Sequence, residues 1–260
     1  MSDNVRSAAT DGVCLLTLTR PDVRNAISDD GMIEDICRVV QGAEADPDVK
    51  VLVVTGEGSA FSAGGNVKDM ADRSGMFAGE PYQVGEGYRT TIQRLTRTFA
   101  ATDLITIAAV NGPAIGAGFD LALACDIRLG SPAARFAHTF VDLGIIPGDG
   151  GAWLLPRAIG WQRAAELAFT ARTIDADTAV AYGVLLSVHD DVVGAAASLG
   201  GEIASRPGHS LRLTKRLLRH ARTMDLDGFL DLTAALQALA HTTDEHHAAL
   251  ERYLQRWKRD

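Results

Sequence analysis

The chain has 260 residues, of which 47% are hydrophobic and 22% charged, close to the globular average, so bulk disorder is excluded. A formal net charge of −8 argues against a nucleic-acid binder, which needs a dense basic face, but leaves room for a local basic patch. The apolar runs are strand-sized or broken by glycines and charges, so no membrane span is expected.

Met1–Thr10 is polar and has no apolar signal segment. Val13–Thr19 (VCLLTLT) reads as a buried strand. After Arg20-Pro21, Ser28 is placed to cap a helix whose Met32, Ile33, Ile36, Val39, Val40 and Ala43 recur at helical spacing. Val49–Thr55 (VKVLVVT) is nearly all apolar, as expected of a parallel strand covered on both faces. The Gly/Ser-rich run Gly56–Gly65 follows it, and Asn66–Tyr88 has no clear period and reads as irregular covering material.

A helix face at Ile92, Leu95 and Phe99 precedes a third strand, Ile105–Val110. That strand runs through Asn111-Gly112-Pro113 and Gly116-Ala117-Gly118 into a short apolar helix ending near Ala124. Asp126–Leu129 reads as a short strand and Phe136–Gly151 as loop. Short helices follow at Ala152–Ile159, Trp161–Thr170 and Asp175–Tyr182, then a last strand at Val184–Val188. From Val192 the pattern is helical, with Thr242-x-x-Glu245 as a capping box for the final helix. Residues 1–190 thus form an α/β core with a parallel sheet and crossover helices, and residues 191–260 a helical extension. The apolar faces of that extension need the core or another subunit to pack on. Cys14, Cys37 and Cys125 lie in apolar runs without CxxC spacing, which fits reduced, buried thiols in a cytoplasmic protein.

Two strands open directly into glycine loops, at Val54–Gly65 and Val110–Gly118. Such loops offer free backbone N–H groups, and a following helix N-terminus adds partial positive charge, so they suit phosphates or a developing oxyanion. There is no GxxxxGK[ST] run, no complete GxGxxG and no GxSxG elbow. An oxyanion hole is the economical reading. His246 and His247 lack a third metal ligand, and neither a metal nor a redox cofactor is expected.

Gly58–Met70 (GSAFSAGGNVKDM) and Ala109–Asp126 (AVNGPAIGAGFDLALACD) resemble the two oxyanion segments of the enoyl-CoA hydratase/isomerase (crotonase) family. Phe136, Leu143–Gly148 (LGIIPG) and Gly150-Gly151 resemble its third block, and Arg20-Pro21 with Arg24-Asn25-Ala26 its N-terminal one. The resemblance implies a crotonase-like spiral of β-β-α turns with a helical C-terminal trimerisation segment, and hence a homotrimer or a dimer of trimers. It implies an acyl-CoA thioester substrate, with coenzyme A present only as part of that substrate. By motif position, the N–H groups of Gly65 and Ala117 would grip the thioester oxygen. The Ala63 carbonyl would receive the adenine amino group. Arg24 and Lys68 would meet phosphates, and Lys215 would reach a neighbouring subunit's ligand within the basic helix of Arg212, Arg216 and Arg219.

Hydratases of the family carry one Glu just after the second glycine loop and another four residues after the Phe of the third block. Here those positions are Asp120 and Phe140. Asp120 is expected to act with Asp149 as acid and base. Asp149 lies one residue beyond the Asp of the family's dienoyl-CoA isomerases and dehalogenases, and it could instead cap the helix beginning near Ala152. His138 and Asp142 flank the site and read as structural. The resemblance points to a hydratase-like enzyme that adds water to an enoyl thioester or removes it through an oxyanion-stabilised enolate, with double-bond isomerisation or acyl-CoA binding without catalysis as the alternatives.

Overall fold

A computed structural model describes residues 4–27 and 30–257, which leaves the Ser28 cap outside the described residues. The chain opens with β1 (Val5–Thr10) and β2 (Val13–Leu18), then α1 (Asp30–Ala45) and β3 (Val51–Gly56). Next come α2 (Val67–Ala71), α3 (Pro81–Thr90), α4 (Ile92–Ala101), β4 (Ile105–Val110), β5 (Pro113–Ile115) and α5 (Ala117–Ala124). They are followed by β6 (Ile127–Gly130), β7 (Arg135–Ala137), α6 (Gly151–Ile159), α7 (Trp161–Thr170), β8 (Ile174–Asp175), α8 (Ala176–Tyr182) and β9 (Ser187–Val188). The chain closes with α9 (Val192–Ala204), α10 (Gly208–His220), α11 (Leu226–His241) and α12 (Asp244–Trp257).

The main sheet has the order β1-β2-β3-β4-β6-β9, and a smaller one runs β5-β7-β8. From β2 to β9 the neighbours in the main sheet are parallel, while β1 is antiparallel to β2. The apolar run of β3 is divided between the two faces. Val51 and Val53 point to one side and pack with Ile107, Ala109 and Leu129 under α9. Leu52 and Val54 point to the other side, into the larger core shared with α1, α4 and α5. Parallel crossovers bring the exits of β3 and β4 to the same end of the sheet, where both glycine loops lie.

Several expectations needed revision, and one strand carries no signal in the sequence. The polar N-terminus is a strand, because β1 is an edge strand whose side chains are almost all exposed, so no apolar pattern marks it. The segment Asn66–Tyr88 is not irregular: it holds α2, a single helical turn at Gly75–Phe77 and most of α3. α12 is capped one residue later than Thr242, since the Thr243 hydroxyl accepts the His246 N–H at 3.2 Å while Glu245 binds His209. The three cysteines are buried and unpaired, as expected.

The basic row of α10 is spent on docking. Arg216 and Arg219 bind Asp103, and Arg212 donates to the Val49 carbonyl. Lys215 is 5% exposed, and its ammonium donates to the Leu104 carbonyl at 2.5 Å and to Asp126 at 2.7 Å. A buried ammonium bound in its own subunit is not presented to a neighbour's ligand, so the expected binding role of Lys215 is corrected to a structural one. Lys215→Met should lower stability by about 1–3 kcal/mol, because it strips a charged partner from a half-exposed Asp126. Urea unfolding should show that loss while acyl-CoA affinity is unchanged.

Candidate active site

The first glycine loop is built by side-chain amides. The buried Asn25 Nδ2 donates to the carbonyls of Glu57 and Ala60, and Asn111 takes the Gly56 N–H on Oδ1 and donates to the Gly58 carbonyl. Ser62 Oγ donates to the Asn25 carbonyl and accepts the Gly64 N–H. The Ile27 N–H donates to the Gly64 carbonyl. With its neighbours fixed in this way, the N–H of Gly65 has no acceptor among the described residues.

The second loop lies against the first. Ser62 bridges to Ala114, and the Ile115 N–H donates to the Ser62 carbonyl at 3.0 Å. Gly116, at φ +52°, turns the chain into α5 and offers no capping side chain, so Ala117 begins the helix with a free N–H. Gly64, at φ +79°, sits so close that a Cβ there would fall 2.3 Å from the Ile115 carbonyl oxygen and 3.0 Å from the Ala117 nitrogen. A Cβ on Gly118 would fall 2.3 Å from the Ser62 carbonyl oxygen. Glycine at both positions is therefore what lets the loops touch.

Gly65 and Ala117 line one cleft, together with Ile27, Met70, Met76, Tyr88, Phe140 and Asp149. Its free volume is only ≈ 30 Å³, near that of one water molecule. The Met70 methyl lies over Gly65, at 2.6 Å from where a Cβ would stand. An acyl group must displace flexible methionine side chains to enter, which thioethers do at low cost.

Asp120, in the first turn of α5, is 2% exposed, and Asp149, just before α6, is 4% exposed. The Asp149 carboxyl does not cap α6: the N-cap is Gly150 and no side chain caps it. Instead α4 pins the backbone here, with Gln93 donating to the Gly148 carbonyl and Thr96 to that of Asp149. Gly151 packs on the Asp120 carboxyl, and a Cβ there would lie 2.2 Å from Oδ2. Of the two, Asp149 is the one that lines the cleft. Burial is the main reason both carboxyls hold their protons above the usual range, with Asp120 pushed up to about 7 and Asp149 raised further by the Asp120 charge. Two such groups titrate as a unit that carries one proton across neutral pH.

His138, read from the sequence as structural, belongs to this cluster. It is 1% exposed, and its Nε2 lies 3.4 Å from Asp120 Oδ1. Tyr88 of α3, also missed, lines the cleft and is raised by burial and then by the charge of Asp149. Asp142 is exposed and stands apart. Phe140 lines the cleft with its ring edge-on to His138, at a centroid distance of 4.8 Å. At the outer side, exposed Arg24 is tied to Ala63 by an Ala63 N–H to Arg24 carbonyl bond of 2.9 Å, and Lys68 projects from α2 into solvent. No cluster of His, Cys, Asp and Glu among the described residues has metal-binding geometry. Gly64→Ala should separate the loops and lower turnover by about 100–1000-fold, the typical cost of one oxyanion donor, with the fold retained by circular dichroism.

The sequence model of the enoyl-CoA hydratase/isomerase family matches residues 8–260. A probable enoyl-CoA hydratase of Mycobacterium tuberculosis, EchA14, is 42% identical over 223 residues, covering 85% of this chain and 82% of that protein. The 1,2-epoxyphenylacetyl-CoA isomerase of Escherichia coli is 34% identical over 256 residues, covering 98% and 96%. Among solved structures, an enoyl-CoA hydratase from Bacillus anthracis superposes with a TM-score of 0.90 at 28% identity, covering 97% of this chain and 96% of that one. The chain therefore belongs to the enoyl-CoA hydratase/isomerase family.

Proposed function

We propose that the protein moves a double bond in an acyl-CoA thioester, with Asp149 as the proton carrier and the N–H groups of Gly65 and Ala117 as the oxyanion hole. One observation carries this reading. Of the two buried carboxyls only Asp149 faces the cleft, and the phenyl ring of Phe140 occupies the position where a hydratase of the family carries its second Glu. An isomerase needs a single carrier. Asp149 takes a proton from the α-carbon of a 3-enoyl thioester, and the electron pair is delocalised onto the thioester oxygen. The two N–H donors stabilise the dienolate, and the same proton returns at the γ-carbon, so no water is consumed.

The apolar cleft supports the acid–base role by desolvation, and Asp120 supports it by holding the shared proton while Asp149 is charged. Arg24 and Lys68, exposed at the outer side near Ala63, suit the phosphates of coenzyme A, and the Ala63 carbonyl suits its adenine amino group. The reading includes a homotrimer or a dimer of trimers. Exposed Leu226, Leu230, Leu239 and Leu250 on α11 and α12 support burial of these helices between subunits. Hydration is the second reading, favoured by the hydratase name of the EchA14 relative.

Turnover of a 3-enoyl-CoA to its conjugated 2-enoyl isomer tests the proposal. Asp149→Asn should reduce it by about 100–10,000-fold. Faster hydration of a 2-enoyl-CoA, lost in both Asp149→Asn and Asp120→Asn, would select the hydratase reading. Tight binding without turnover would sink both. The isomerisation rate should rise with pH as the doubly protonated pair loses its first proton and Asp149 becomes charged, with the limb above the ordinary carboxylate range.

The same pair sets a stability trend. A carboxyl whose folded pKa lies above its unfolded value makes the folded state bind more protons, so stability falls as pH rises from the unfolded value of 3.8 through about 7. Asp149→Asn should therefore be inactive yet more stable than the parent at pH 7, by a few kcal/mol at most, with the difference fading toward pH 4. Thermal melts across that range would reveal it.

A further inference from the structure

Asp149 in the cleft wall is coupled to two further buried ionisable groups, Asp120 and His138. Asp120 Oδ1 and Oδ2, His138 Nε2 and Asp149 Oδ1 are all buried without a hydrogen-bond partner among the described residues. Buried polar atoms are normally satisfied, so four unpaired ones facing each other mark a functional arrangement. His138 is caged rather than solvated. Phe140 meets its ring edge-on, Phe119 does so at 6.4 Å, and its Nε2 is left facing Asp120. The titratable groups facing it are Asp120 from α5 and Asp149 from the entry to α6, with Tyr88 of α3 beyond Asp149.

We propose that His138 is a positioning residue of the acid–base pair, one that stabilises the single negative charge shared by Asp120 and Asp149 and so fixes the pH at which Asp149 becomes a base. This rests on the proton-carrier reading of Asp149. Burial lowers the tendency of His138 to protonate, so it works as a neutral imidazole. With its proton on Nε2, that imidazole places the positive end of its dipole within 3.4 Å of Asp120 Oδ1 without a formed hydrogen bond, and Asp120 has no cation as a partner among the described residues. A hydrocarbon in its place would leave the charge unsupported, and the pair would keep its proton to higher pH.

The test compares His138→Leu with His138→Gln, which retains an N–H donor. In His138→Leu the acidic limb of the isomerisation pH profile should move up by about one pH unit, and His138→Gln should restore it. The infrared band of the protonated buried carboxyl, followed by pH titration of the substrate-free enzyme, should move in parallel. Lowered thermal stability with an unmoved limb and band would overturn the proposal and leave His138 a packing residue. If the band moves but no isomerisation is found, the role of His138 stands and the isomerase reading fails. Should His138→Leu not fold, nitrogen NMR of the parent imidazole decides. An Nε2–H tautomer that responds to the carboxyl titration is expected, and an imidazole blind to it would refute the idea.

Discussion

Burying two carboxyl groups side by side without a cation is the constraint around which the active site is organised. Either carboxyl alone in an apolar site would resist ionisation, and together they resist it twice over. The fold tolerates the arrangement by keeping one proton between them and by surrounding them with weak polar support. Asp120 sits in the first turn of α5, where the helix dipole favours negative charge. The destabilisation this leaves is the usual cost of a prepared acid–base site, and the well-packed sheet beneath it can bear that cost.

The free backbone N–H groups proposed as oxyanion donors arise by a different means. No side chain is asked to donate. Two strands of one parallel sheet end at the same edge, and Asn25, Asn111 and Ser62 satisfy the neighbouring backbone groups until two N–H groups remain over. The contact between Gly64 and the Ile115–Ala117 turn then holds the loops at backbone-to-backbone distance. Such donors need no reorganisation when charge develops, which is why fixed dipoles outperform mobile ones.

Much of this was legible in the letters. The apolar runs at Val51–Val54 and Ile105–Val110 announced buried parallel strands, and the glycines after each announced loops where backbone approaches backbone. Asp120 and Asp149 were picked out by their places in the motifs, and the structure puts them together. Other features left no trace in the pattern. β1 is an edge strand with few buried side chains, and α2 and α3 have no buried residue to give them a period. Lys215 looked like a ligand-binding cation because its neighbours are basic, but the carboxylate it serves, Asp126, is remote in sequence and only the fold reveals the pairing. His138 was discounted for the same reason: its meaning depends on Asp120, which sequence distance hides.

Phe140 shows how one backbone scaffold can be turned to another reaction. On the proposed reading, the N–H groups of Gly65 and Ala117 act on the carbonyl end of the substrate and are indifferent to what happens to the proton afterwards. That fate depends on which groups line the cleft beyond the α-carbon. A carboxylate at position 140 would hold water against the double bond, whereas a phenyl ring excludes it and packs on His138. The substitution therefore does two things at once. It removes an acid–base group from one wall, and it sets an apolar ring against His138 in a cleft that Asp149 also lines. On the isomerase reading, losing a carboxylate and keeping one buried base go together, and a proton that leaves the α-carbon has Asp149 as its proposed carrier and the substrate itself as the place to return.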